Sequence, residues 1–155
     1  MATGVNQPLY TVEILRLAAS IPHLGPLEGA QGEAELRSTT CGSTVSVQVK
    51  LDADGRVSAL GQQVEACAFG QASAALMGRH ALGRQADEIE HAMKAFTAWL
   101  DGSRENPGDW PGLQSLAPAR SRRARHGAML LPFQALLAAT KAASDSRRGN
   151  RAANR

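Results

Sequence analysis

The chain has 155 residues, of which 43% are hydrophobic and 20% charged. That is enough apolar material to offset the entropy of ordering one domain, and it excludes a wholly disordered polymer. Two cysteines are too few for a disulfide-stapled scaffold, and no apolar run is long enough to cross a membrane.

Aromatic residues make up only 4%, so the core must be built from Ala, Leu and Val. The net charge of +3 is unevenly spread: residues 119–155 carry +8 and the rest −5. An acidic body with a basic end suits nucleic-acid contact, but no aromatic residue follows Phe133 to stack on bases, so nucleic acid is disfavoured as a partner. Met1–Tyr10 shows no basic-then-apolar leader, and the expected placement is cytoplasmic with no membrane partner.

Leu9–Ser20 sets Val12, Leu15, Leu17 and Ala18 at helical spacing behind Thr11 as a cap, and Pro22, Gly25 and Pro26 end that helix. Strands follow at 33–39, 44–52 and 56–65. The clearest is the middle one, where Val45, Val47, Val49 and Leu51 alternate with Ser46, Gln48 and Lys50. Asp52-Ala53-Asp54-Gly55 is a turn, so the three strands form an antiparallel meander. The period then changes. Phe69–Gly83, rich in Ala, Leu and Met, predicts a helix, and Ala86–Leu100 a second with Ile89, Met93, Phe96 and Leu100 as its stripe and Trp99 at the stripe's edge.

Asp101–Ala119 reads as a loop with a helical turn in Trp110–Leu116. Met129–Ala143 predicts a last helix, with Pro132 in its first turn or breaking it. Residues 1–143 are thus expected to form one α+β domain, a three-stranded antiparallel meander packed against helices, and 144–155 a disordered basic tail.

Cys41 lies in Thr39-Thr40-Cys41-Gly42-Ser43, between the first two strands, and Cys67 between the third strand and a helix. In a meander, the first turn and the end of the third strand lie at one edge of the sheet, so the two thiols are expected to meet. A thiol at a helix N-terminus faces exposed N–H groups that favour the thiolate. A redox pair, half of a zinc or iron–sulfur site, and two buried apolar cysteines all remain open. His126, at the start of the last helix, is the histidine best placed to join them. His23 lies in a loop, while His80 and His91 sit on helices and read as solvent-facing. No G-x-S-x-G elbow and no phosphate loop is present, and the chain does not read as an enzyme.

Thr40-Cys41-Gly42-Ser43, the hairpin with Asp54-Gly55, Cys67-Ala68-Phe69-Gly70-Gln71-Ala72-Ser73-Ala74-Ala75, Gly83-Arg84, Pro118-Ala119-Arg120 and His126-Gly127-Ala128 together resemble the U-type iron–sulfur cluster assembly scaffolds, the IscU, SufU and NifU N-terminal group. The resemblance spans about Leu9–Ala143, and the stretch around Trp110 is similar to the insertion of the SufU branch.

It implies a SufU/IscU-like fold and a scaffold or carrier that holds iron, or a cluster such as [2Fe–2S], through Cys41 and Cys67. A cysteine desulfurase and iron–sulfur recipient or assembly proteins are its implied partners. In that family three cysteines and an aspartate hold zinc or a nascent cluster. Here Ser43 stands at the aspartate's position and Gly127 at the third cysteine's. The set is incomplete, with His126 as a candidate replacement. A zinc-dependent sulfur acceptor for a desulfurase, and a metal-free adaptor or regulator, are the alternatives.

Overall fold

The structure, a computed structural model, describes residues 10–39 and 42–153. In β2 (Thr44–Leu51), Val45, Val47, Val49 and Leu51 are buried, while Thr44, Ser46, Gln48 and Lys50 are half-buried on the opposite face. That alternation gives the sheet one apolar face to cover. β1 (Gly32–Arg37) and β3 (Val57–Glu65) flank β2 in the order β1-β2-β3, both antiparallel to it. The first ladder runs from Gly32 opposite Val49 to Arg37 opposite Thr44, and the second from Thr44 opposite Glu65 to Leu51 opposite Val57. The outer edge of β3 is capped by a parallel bridge between Leu24 and Gln62.

Helix α1 (Val12–Ala18) starts where Thr11 Oγ1 accepts the Ile14 N–H at 3.1 Å. It buries Ile14 and Leu17 and packs on α2 (Ala68–His80). Val12 and Leu15, expected on the buried stripe, are instead 65% and 50% exposed. The spacing of apolar residues admitted either face, and packing on α2 selects Ile14 and Leu17. α3 (Ala86–Leu100) has the predicted limits. Trp99, expected at the edge of its stripe, is fully buried. Phe133 sits edge-on to both Phe96 and Trp110, with ring centroids 5.4 and 5.1 Å apart, and Phe96 stacks on Trp99, so these four aromatic side chains form one cluster.

The segment after α3 contains a 3-10 helix, Leu113–Ala119, a few residues later than the turn predicted at Trp110–Leu116. The largest departure from expectation is α4 (Arg123–Ala153), which starts six residues earlier than predicted and runs ten beyond. Pro132 lies inside it. A proline there removes the N–H that would bond the Ala128 carbonyl. Packing on β1, β2, α2 and α3 holds the helix together regardless. The helix continues from Ser144 to Ala153, over residues whose composition had led to an expectation of disorder. Ser144 to Arg148 contain no helix breaker, and Asp145 pairs with Arg148 one turn later at 3.8 Å.

α4 approaches the sheet closely because β1 begins with glycine. A β-carbon on Gly32 would collide with the Ala139 carbonyl oxygen and the Ala143 nitrogen.

Candidate functional site

Thr44 opposite Glu65 closes the β2–β3 ladder, so the segment before Thr44 and the segment after Glu65 leave the sheet at the same end. The sequence places Cys41 three residues before Thr44 and Cys67 two after Glu65. Cys41 itself lies outside the described residues. Its neighbour Gly42 has φ +73° and donates to the Ser38 carbonyl at 3.3 Å, and the Ser38 N–H donates to the Ser43 carbonyl at 2.8 Å. Those bonds close the β1–β2 connection and bury Ser43, which is 4% exposed.

Cys67 is the N-cap of α2, with extended backbone (φ −65°, ψ 171°) and a half-buried, free thiol. Its side chain does not cap the helix. Sulfur is a weak acceptor, so the thiol is left available for other chemistry.

Two direct contacts and a relay through Trp110 set the register between α2 and α4. A β-carbon on Gly70 would meet the Ala128 carbonyl oxygen at 3.2 Å and the Ala128 β-carbon at 3.4 Å. The Ser73 hydroxyl donates to the Met129 carbonyl within the core. The Leu76 carbonyl accepts from Trp110 Nε1 at 3.0 Å, and the Trp110 ring packs on Phe133. The contacts advance along both helices together, so α2 and α4 run parallel with their N-termini at the Cys67 end. Gly127, next to Ala128, therefore lies at that end as well.

His126 is on another side of α4. Its Nε2 lies 2.8 Å from the Arg120 carbonyl, and its charge acts on Asp101, the C-cap of α3. It is two residues from Ala128, which on a helix is nearly the opposite face. The structure thus brings Gly127 to the Cys67 end and turns the His126 ring towards α3. Among the described residues no three His, Cys, Asp or Glu side chains are grouped to hold a metal ion.

The other histidines are remote. His23 and His91 are exposed, and His80 ends α2. Partial burial, then the charges of Arg84 and Arg79, hold the His80 imidazole below its usual range.

Tyr10 is a neighbour that the sequence did not reveal. Its ring packs on Phe69, two residues after Cys67, with centroids 5.1 Å apart. With Val12 and Leu15 it leaves an exposed apolar strip along α1. A tyrosine one residue before a cap was the available signal, but its partner depends on how α1 crosses α2.

The model of the NifU-like N terminal domain matches residues 9–104, a span that contains both cysteines. The chain belongs to the NifU-like N-terminal domain family. Its members are scaffolds for iron–sulfur cluster assembly and not enzymes, and as a family they bind such clusters and work with cysteine desulfurases and cluster recipients.

Among solved structures, the nitrogen-fixing NifU-like protein (N-terminal) from Brucella abortus is 33% identical, with a TM-score of 0.83 over 88% of this chain and 95% of that one. A protein assigned as an iron–sulfur cluster assembly scaffold for the SUF system, from the thermophile Fervidobacterium islandicum AW-1, is 21% identical. It shares the fold at a TM-score of 0.76 over 85% of this chain and 96% of that one. No curated protein matches the chain. The two structural matches confirm the α+β meander-and-helix architecture of this NifU-like chain. They also cover most of the region beyond residue 104, where the domain match ends. No helix among the described residues is long and apolar enough to cross a membrane.

Proposed function

We propose that this NifU-like protein is a scaffold or carrier that holds iron or an iron–sulfur cluster, such as [2Fe–2S], as cargo on the thiolates of Cys41 and Cys67. The observation that carries the reading is the position of Cys67: a half-buried, free thiol at the N-terminus of α2, by the end of the β2–β3 ladder where β2 begins, three residues after Cys41 in the sequence. Helix N–H groups at that terminus favour negative charge on whatever sits there.

A [2Fe–2S] cluster takes four protein ligands, and the chain has two cysteines. Ser43 is a neutral hydroxyl buried at the β1–β2 connection, and Gly127 offers no side chain, so neither restores the set. His126, bonded to the Arg120 carbonyl and turned from α2, is given a bracing role in this reading. The remaining positions on the cargo are open to donors from outside the chain, which suits a carrier that accepts and hands on. A cysteine desulfurase is the proposed sulfur source and an iron–sulfur recipient or assembly protein the acceptor, with the cytoplasm as the place of action.

Anaerobic reconstitution with iron and sulfide, followed by visible absorption, tests this. Wild-type protein is expected to show thiolate-to-iron charge-transfer bands that Cys67→Ser loses. Identical bands in both would remove Cys67 from the site. Zinc at one per chain, bound through Cys67 without sulfide, would favour the sulfur-acceptor reading instead.

A further inference from the structure

The face of the sheet turned away from α4 holds a groove remote from the cysteines. The two ladders set Glu33, Gln48 and Gly61 in one row across the strands, and Glu35, Ser46 and Gln63 in the next. Gly61 lets the chain before β1 cross this face: a β-carbon there would stand 2.7 Å from the Gly25 carbonyl oxygen. The Leu27 N–H donates to Gln48 Oε1 at 2.7 Å and ties the crossing segment down. Between Gly25-Pro26 on one side and the two glutamates on the other lies a cavity of about 470 Å³.

The groove is polar and negative. Ser46 Oγ donates to Glu35 Oε1 at 2.9 Å, and Gln48 Nε2 donates to Glu33 Oε2 at 3.1 Å, so the floor aims both carboxylates. Neither takes part in the ion pairs among the described residues. The cations of this face, Arg37 and Lys50, stand in the rows beyond the two glutamates, one at each end.

The complementary charge is on the same chain. α4 runs ten residues past Ala143, its last buried apolar residue, which adds about 15 Å of helix. Residues 144–155 carry Arg147, Arg148, Arg151 and Arg155 against one acid, Asp145. Arg147 is half-buried and joins no ion pair among the described residues. Arg148 meets Asp145 at 3.8 Å with both side chains exposed, a weak pair. Between Ser144 and Gly149 this arm has no apolar residue to bury, and a helix end of that kind is marginal in water.

The arm does not reach the groove of its own molecule. α4 packs on the inner face of β1 and β2, where Gly32 meets Ala139 and Ala143, and the helix continues from there. The groove opens on the opposite face, so the sheet stands between the two. A second copy has no such barrier.

We propose that the protein self-associates by seating the arginine-bearing end of α4 from one copy in the glutamate-lined groove of another. Each carboxylate has one oxygen engaged by its sheet neighbour and lone pairs left for a guanidinium. Such a contact is electrostatic and solvent-edged, so it is weak and salt-sensitive. Neither surface includes a cysteine, so the association does not depend on the iron–sulfur cargo.

Sedimentation equilibrium on the full chain, without cargo, tests this. Wild type is expected to associate as concentration rises at low salt, with a dissociation constant about tenfold higher at high salt. The paired changes Glu33→Arg with Glu35→Arg, and Arg147→Glu with Arg148→Glu, should each leave a monomer that is folded by circular dichroism. Mixed in equal amounts, these two variants should associate again, since the reversed arm meets the reversed groove. The milder pair Glu33→Gln with Glu35→Gln should raise the dissociation constant about tenfold. Lys94→Glu, an exposed change on α3 away from both surfaces, should associate like wild type.

Wild-type protein that stays monomeric at low salt would overturn the proposal and leave the groove to a basic segment of another protein. Association that survives either pair of charge reversals would overturn it too. So would folded variants that fail to associate on mixing.

Discussion

A β-carbon on Gly70 would stand 3.2 Å from the Ala128 carbonyl oxygen and 2.7 Å from the Ala66 β-carbon. Neither neighbour is the end of a flexible side chain, so a larger residue must push α2 away from α4 or from the end of β3. Gly70→Ala is therefore expected to destabilise the protein by about 1–3 kcal/mol, despite alanine's better helix propensity. Chemical denaturation checks this. Unchanged or increased stability would show that the two helices are not held at this distance.

Arg120 binds the 3-10 helix to the end of α3 through the Trp99 carbonyl, and its own carbonyl holds His126. Arg120→Ala should cost about 1–3 kcal/mol and alter the near-ultraviolet signal of Trp99. Arg120→Lys should recover less than half, because lysine lacks the planar guanidinium that donates at Nε while covering the ring. A lysine variant as stable as wild type would contradict this.

Two titrating groups give the acid side of the pH profile a direction. The side-chain and backbone hydrogen bonds of Ser103 hold the Asp101 carboxyl below its usual range. Its folded pKa is depressed, so its stabilising contribution is complete above the unfolded value of about 3.9 and is lost as pH falls through the folded one. Asp101→Asn should flatten the stability profile there.

His80 is depressed by burial and then by Arg84 and Arg79. The unfolded chain therefore takes up its proton first, and stability declines as pH falls from about 6.5 towards the folded pKa. His80→Gln should remove that slope. Denaturation midpoints measured from acid to neutral pH read both effects, and a variant that tracks wild type across its window would contradict the corresponding assignment.

Much of the architecture was legible because it rests on local pattern. The alternation Val45, Val47, Val49, Leu51 could bury only one face of a strand, and Asp52 closes the turn by accepting from the Asp54 and Arg56 N–H groups. α3 was bounded correctly by its stripe, and in the structure the Glu88 carboxylate reaches back to the Gln85 N–H at 3.2 Å.

The misses depended on distant partners. Leu15 and Ile14 are equally apolar, and only the crossing of α1 on α2 decides which is buried. Pro132 marks a break in a sequence read alone, yet it sits within a helix held by the sheet on one side and α2 on another. At the site, the two thiols were expected to share an edge; the strand register brings the segments before Thr44 and after Glu65 to one end, and Cys41 lies outside the described residues. The sequence did not show that His126 turns towards Arg120, because that depends on which face of α4 meets α2.

Gly127 stands beside Ala128 at the Cys67 end of α4. A thiol introduced there should act as an added ligand. Gly127→Cys is expected to retain a reconstituted cluster about tenfold longer than wild type, without loss of fold. Absorption decay under a chelator measures it. A lifetime equal to that of wild type, in a folded variant, would show that position 127 does not face the cargo.

The central claim is that the two thiols hold an iron–sulfur cargo, and iron and acid-labile sulfide per chain test it most directly. They are to be measured after anaerobic reconstitution and gel filtration of wild type, Cys41→Ser and Cys67→Ser. Iron and sulfide are expected in equal amounts in wild type, with little of either in the two variants. Wild type without bound iron and sulfide, or variants that retain both, would contradict it.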